Sequence, residues 1–172
     1  MNSPVDQEAA VAALLAENEI RKVLLLYCRG VDRLDRDLVR ACFHEDAVDS
    51  HGNFEGDVDS LLDWMWGVLT KFDTTMHFVG NMLIEVEGDL ARAETYGVAF
   101  HRGEPEKPHR NLINGFRYVD RFERRDGAWR IARRTVVTDW TRVDVPEQWW
   151  PTPEGILCGT RGPDDPVYEP LR

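Results

Sequence analysis

Apolar residues recur at helical spacing through the first part of the chain and switch to alternation after Phe72. Ile20, Val23, Leu24, Tyr27 and Val31 fall on one stripe of a helix expected over Glu8 to Val31, with a break near Glu17-Asn18 and a weak end at Gly30. Asp35 reads as the N-cap of a second helix, Arg36 to His44, with Leu38, Val39, Cys42 and Phe43 facing inward. Ala47 to His51 reads as a short strand, Gly52-Asn53 as its turn and Phe54-Glu55-Gly56 as its return. Asp57 or Asp59 starts a third helix that runs to about Lys71, with Leu61, Leu62, Met65, Trp66 and Leu69 on its apolar face. The alternation then predicts four long strands, about 75–87, 90–103, 110–124 and 128–141. Glu87-Gly88-Asp89 and Arg125-Asp126-Gly127 are hairpin turns, and Gly103 to Pro108 forms a longer loop. Helices followed by an antiparallel meander place the chain in the α+β class. A strongly bent sheet wrapped around a helix leaves a cone with an open mouth, which suits a small apolar ligand.

The 172 residues are enough for one domain with a real core. Residues 1–14 are expected to be an arm and first helical turn, 15–141 the domain and 142–172 an irregular tail. Prolines are dense in that tail, and Trp149-Trp150-Pro151 stand at its front. Exposed tryptophans are unfavourable, so the tail is expected to wrap over this subunit or a neighbour. A net charge of −10 argues against non-specific binding to nucleic acid or to an anionic membrane. No apolar run is long enough to span a bilayer, and the polar, acidic Met1 to Glu8 does not fit a secretory signal. Cys28, Cys42 and Cys158 make an odd count without a CxxC pair. They read as free thiols, and the protein as cytoplasmic.

Candidate chemistry centres on the histidines, which are His44, His51, His77, His101 and His109. His77 shares a strand face with Thr75 and Val79, and His101 shares one with Ala93, Thr95, Gly97 and Ala99. Small side chains on a sheet face leave room for something else to lie there. Two histidines on adjacent antiparallel strands can approach one another across a pocket, whereas a lone one is a hydrogen-bonded strand residue. Asp32, at the end of the long helix, either orients an imidazole and raises its basicity or caps the next helix, as Asp35 also could. Tyr27 and Asp32 are five residues apart, roughly 140° around an ideal helix, so they reach one pocket only if the helix loosens near Gly30. Arg133 and Arg134 face opposite ways on the last strand, and the inward one needs an anionic or carbonyl partner. Asn114, Phe116 and Tyr118 alternate on the third long strand and either line the cavity or pack the core. No Walker, Rossmann, HExxH or GxSxG pattern occurs. His51, His77, His101 and Asp32 lack the short-range pair of a typical metal site, so no metal is expected.

Three segments carry a resemblance. They are Tyr27-Cys28-Arg29-Gly30-Val31-Asp32, Met76-His77-Phe78-Val79-Gly80-Asn81 and Arg124-Arg125-Asp126-Gly127-Ala128-Trp129-Arg130-Ile131. In this order, over about residues 15–141, the chain resembles the SnoaL-like branch of the nuclear transport factor 2-like superfamily. The resemblance implies a cone-shaped curved antiparallel sheet around N-terminal helices, the cystatin-like α+β barrel. Within the branch the chain is similar to scytalone dehydratase, hexachlorocyclohexane dehydrochlorinase and bile acid 7α-dehydratase, which use an Asp–His dyad. The resemblance places that dyad on Asp32 and His77, a second histidine on His101, a tyrosine on Tyr27 and an arginine on Arg134. A pocket tyrosine of the dehydratases falls on His51, and a serine and an asparagine fall near Phe116 and Tyr118, all three being departures. Tyr27 stands where the dehydrochlorinase has its lysine, which favours dehydration over dehalogenation.

The resulting expectation is a cofactor-independent lyase acting on a small cyclic, polyketide-like or steroid-like substrate. Asp32, His77, Tyr27 and His101 would be catalytic, while His51, Asn114, Phe116, Tyr118 and Arg134 would bind substrate. An isomerase or cyclase using the same dyad is one alternative. A non-catalytic ligand-binding module, like the β subunit of ring-hydroxylating dioxygenases, is the other. The resemblance also implies a homo-oligomer, trimer or dimer, and the acidic charge implies no nucleic-acid or membrane partner.

Overall fold

The computed structural model describes residues 7–103, 111–144 and 152–170. His109, the prolines of the loop after Gly103, and Trp149-Trp150-Pro151 lie outside the described residues.

Helix α1 runs unbroken from Gln7–Arg33, and the break expected at Glu17-Asn18 does not occur. Its stripe of Ile20, Leu24, Tyr27 and Val31 is buried, and each such side chain contributes roughly 1.5–3 kcal/mol on leaving water. Leu34, with φ 55°, ends α1 by a turn into left-handed backbone. Asp35 then caps α2 (Arg36–Ala41) by accepting from the Leu38 amide at 3.0 Å. This second helix is shorter than expected, because Phe43 and His44 already belong to strand β1 (Phe43–His51). Gly30 lets the two helices meet, since a Cβ there would lie 2.7 Å from Val39 Cγ2.

Strand β2 (Phe54–Asp57) returns on β1, and Asp57 caps α3 (Val58–Leu69) through the Ser60 amide at 2.8 Å. The four long strands are β3 (Thr74–Glu87), β4 (Leu90–Arg102), β5 (Leu112–Arg125) and β6 (Ala128–Val143). They form the expected meander within a sheet of order β2-β1-β6-β5-β4-β3. The sheet is mixed and not wholly antiparallel, because β1 runs parallel to β6. Such pairing requires a long crossover, here the chain from β2 through β5. Register shifts at Val79/Met82, Gly115/Phe116 and Arg121/Phe122 interrupt the ladders, as bulges do where a sheet bends.

The inner face of the sheet packs on α1, chiefly through β3. Its small residues Ala93, Thr95 and Ala99 are buried, and a Cβ on Gly97 would overlap the Phe116 ring. The space left by those small side chains is therefore partly occupied by an aromatic ring of β5. Past the sheet, residues 152–170 return to α1. Arg33 pairs with Asp165 at 3.4 Å, and the Tyr168 hydroxyl donates to Asp35 at 3.0 Å. No helix among the described residues is long and apolar enough to cross a membrane.

Candidate active site

Asp32 is the last buried residue of α1, and its carboxylate is gripped by β3. Its Oδ1 accepts from His77 Nδ1 at 2.7 Å and from the Thr75 hydroxyl at 2.9 Å. Its Oδ2 accepts from the His77 amide at 2.8 Å. Residue 77 is thus held at both backbone and ring by one carboxylate. Because Asp35 caps α2, Asp32 is free for this contact. No loosening of the helix is involved: Asp32 stands behind His77, while Tyr27, further round α1, faces the cavity. With Nδ1–H committed to Asp32, Nε2 is the nitrogen that carries the free lone pair.

The cavity has a volume of about 230 Å³. Its wall includes Tyr27, His51, His77, His101, Asn114, Phe116 and Tyr118, together with Trp64, Met65 and Phe72 from the helical side. The His101 ring meets His77 edge-on with centroids 5.7 Å apart and lies 5.0 Å from Phe72. Burial, followed by the nearby His77 charge, lowers the His101 pKa to about 4. His101 is therefore a neutral imidazole at neutral pH, and its buried Nδ1 has no hydrogen-bond partner among the described residues. Phe116 meets His77 at 6.1 Å and Tyr118 at 4.6 Å.

Tyr27 is almost wholly buried and its hydroxyl lies 3.6 Å from Met65 Sδ. Burial pushes the Tyr27 phenol well above its usual pKa, so it keeps its proton and can act only as a hydrogen-bonding group. The same cause pushes the Tyr118 phenol upward. Arg134 is the inward arginine, but it does not line the cavity. Its guanidinium lies between the Tyr27 and Tyr118 rings, 4.2 and 3.9 Å from their centroids. It donates to both Asp120 oxygens at 2.8 Å. Burial opposes its charge, yet Asp120 keeps its pKa well above the usual value. Arg134 therefore sits beneath the site as the floor on which two lining tyrosines stack, apart from where a ligand would lie.

Three residues at the site were not singled out from the sequence. Thr75 holds Asp32, and its signal was its place two residues before His77 on the same strand face. Asp49 lies two residues before His51 on β1, fully buried. Arg161 comes from the tail and had no local signal. It donates to the carbonyls of Leu69 at 2.7 Å, Phe72 at 2.8 Å and Asp32 at 3.3 Å, and it reaches the Thr75 hydroxyl at 3.5 Å. It thereby ties the ends of α1 and α3 to the start of β3, behind the dyad. Burial pushes the Cys28 thiol up to about 12 and the Cys42 thiol up to about 11, which leaves both protonated and unreactive.

Among solved structures, the chain resembles a candidate scytalone dehydratase from Novosphingobium aromaticivorans, with TM-score 0.70 and 25% identity over 83% of this chain and 99% of that one. It also shares its fold with the hexachlorocyclohexane dehydrochlorinase LinA-type3 from Novosphingobium barchaimii, at TM-score 0.74 and 16% identity over 83% of this chain and 99% of that one. By sequence it is similar to the uncharacterised protein Rv2910c of Mycobacterium tuberculosis, 28% identical over 130 residues, 73% of this chain and 86% of the relative. The SnoaL-like domain family matches residues 12–135, the stretch that builds α1, the sheet and every cavity-lining histidine. The chain belongs to that SnoaL-like family, within the nuclear transport factor 2-like superfamily.

Proposed function

We propose that this protein is a cofactor-independent lyase, a dehydratase-like enzyme acting on a small cyclic or polyketide-like compound. One observation carries the reading: His77, on the wall of an open cavity, donates Nδ1–H over 2.7 Å to a buried carboxylate. That contact orients the ring and stabilises the imidazolium formed when Nε2 takes a proton from carbon. The apolar surroundings strengthen the charge interaction. A proton next to a carbonyl is the one such a base can remove, because the electron pair is delocalised onto oxygen. Tyr27, His101 and Asn114 supply polar groups on the wall that can meet that oxygen or the departing hydroxyl. Acid–base help of this kind contributes typically ~10²–10⁴-fold.

The β-hydroxyketone 3-hydroxy-1-tetralone tests the reading, because loss of water converts it to fluorescent 1-naphthol. Naphthol formation is expected with the wild type and a loss of ~10²-fold or more with His77→Gln or Asp32→Asn. Equal rates for wild type and His77→Gln would overturn the proposal. An isomerase or cyclase would instead return product of unchanged mass. The open cavity counts against a β-subunit-like module with a side-chain-filled interior. We also propose a homo-oligomer, trimer or dimer, joined through the outer sheet face. There Met76, Phe78, Tyr96, Phe100 and Trp140 are exposed on three strands.

A further inference from the structure

The cavity holds a second carboxylate–imidazole pair. Asp49 and His51 lie two residues apart on the same face of β1, near the sheet margin opposite β3. Asp49 is fully buried, and neither of its oxygens has a hydrogen-bond partner among the described residues. His51 Nδ1 lies 3.5 Å from Asp49 Oδ1, within ion-pair reach but without a hydrogen bond, and that nitrogen is likewise buried with no hydrogen-bond partner among the described residues. The rest of the His51 ring lines the cavity wall that also carries His77, and it rests 5.5 Å from the Trp64 ring.

Charge explains why the pair matters. Asp49 is the register partner of Arg134 on β6. Arg134 gives two hydrogen bonds to Asp120 through Nε and Nη2, and its Nη1 is buried without a hydrogen-bond partner among the described residues, so one guanidinium stands between two carboxylates and is hydrogen-bonded to only one of them. The cluster holds two carboxylates and one guanidinium, with the Tyr27 and Tyr118 phenols kept neutral by burial. An uncompensated buried carboxylate is strongly unfavourable. A proton shared between Asp49 and His51 makes the cluster neutral. An imidazolium at His51 would carry Nδ1–H beside Asp49, 3.5 Å from Oδ1, and leave Nε2–H for a ligand.

We propose that Asp49 and His51 form a second acid–base pair, which protonates the departing oxygen while His77 removes the proton from carbon. This rests on the lyase reading above. In the step, His77 Nε2 takes the proton next to the carbonyl and the C–H electron pair becomes the new C=C bond. The C–O bond at the neighbouring carbon breaks with its pair on oxygen, and the His51 Nε2 proton joins that oxygen, which leaves as water. His77 ends protonated and His51 neutral. One proton lost from His77 to solvent and one gained by His51 from solvent restore both. The substrate class is therefore a ketone with a hydroxyl on the β carbon, held between two histidines that reach in from opposite margins of the sheet.

Two reactions separate this proposal from the lyase reading. Exchange of the α protons of 1-tetralone in heavy water needs a base but no leaving oxygen, whereas naphthol formation from 3-hydroxy-1-tetralone needs both. His51→Gln is expected to lower the ratio of elimination to exchange by ~10²-fold. His77→Gln is expected to remove both reactions, and failure of that arm alone counts against the lyase reading. An elimination-to-exchange ratio unchanged in His51→Gln overturns the role of His51. Where the probes do not turn over, long-range proton–nitrogen spectra of ¹⁵N-histidine-labelled protein decide. Asp49→Asn is expected to move both His51 nitrogens from the imidazolium toward the neutral pattern. Identical His51 nitrogens in the two proteins overturn the pair. If Asp49→Asn does not fold, the wild-type spectrum decides by itself, since a neutral His51 at neutral pH overturns the proposal.

Discussion

Asp32 does at one position what three residues would otherwise have to do. It accepts from the Thr75 hydroxyl, the His77 amide and the His77 ring. An asparagine could accept at only one of its two positions and would turn N–H groups toward a donor. Asp32→Asn should therefore cost ~1–3 kcal/mol of stability as well as activity, to be read from urea midpoints alongside turnover. His101 makes a separate prediction. An unfolded histidine takes its proton as pH falls through 6.5, but folded His101 holds it off until about 4, chiefly because it is buried. The unfolded chain then binds more protons in that window, so stability falls as pH falls across it. His101→Gln should remove this contribution, so that wild type loses ~2 kcal/mol more than the variant between about pH 7 and pH 5. Equal losses in the two proteins would show that His101 is not held neutral.

Alternation after Phe72 made His77 and His101 legible as neighbours, because antiparallel strands place inward residues side by side. The contact of Asp32 with His77 was not legible as geometry, since helix α1 meets β3 only through tertiary packing.

Among the elements, α1 and α2 approach closely enough that Gly30 cannot take a side chain without moving Val39. Gly30→Ala is expected to lower stability by ~1–3 kcal/mol in thermal or urea unfolding. The tail segment around Arg161 joins three elements at their ends through carbonyl groups of Asp32, Leu69 and Phe72. We propose that it positions the dyad. Arg161→Gln should then shift the pH–rate profile for naphthol formation and reduce turnover by about tenfold, a change of ~1.4 kcal/mol in the barrier. An unchanged profile would assign Arg161 to structure alone. Helix starts at Asp35 and Asp57 and the hairpin turns were readable because capping and turn chemistry is local. The early end of α2 was not, since the Ile131 amide of β6 bonds the Cys42 carbonyl and draws Phe43 into the sheet.

For the whole molecule, the curved sheet leaves one face on α1 and the cavity and the other partly apolar toward solvent. Exposed patches of this kind mark association surfaces. Light scattering should give a mass above that of one chain, and Phe78→Asp combined with Trp140→Asp should lower it. A monomeric wild type would set aside the proposed oligomer. From its sequence alone, this protein's helices, hairpins, α+β class and inward-facing histidines could be derived, because periodicity, caps and turns act over a few neighbouring residues. Tertiary structure alone decided that β1 runs parallel beside β6, that Arg134 is sealed against Asp120, and that Asp49 and Arg161 stand near the cavity. Those pairings join residues far apart along the chain, where burial and charge act through space and leave no local pattern.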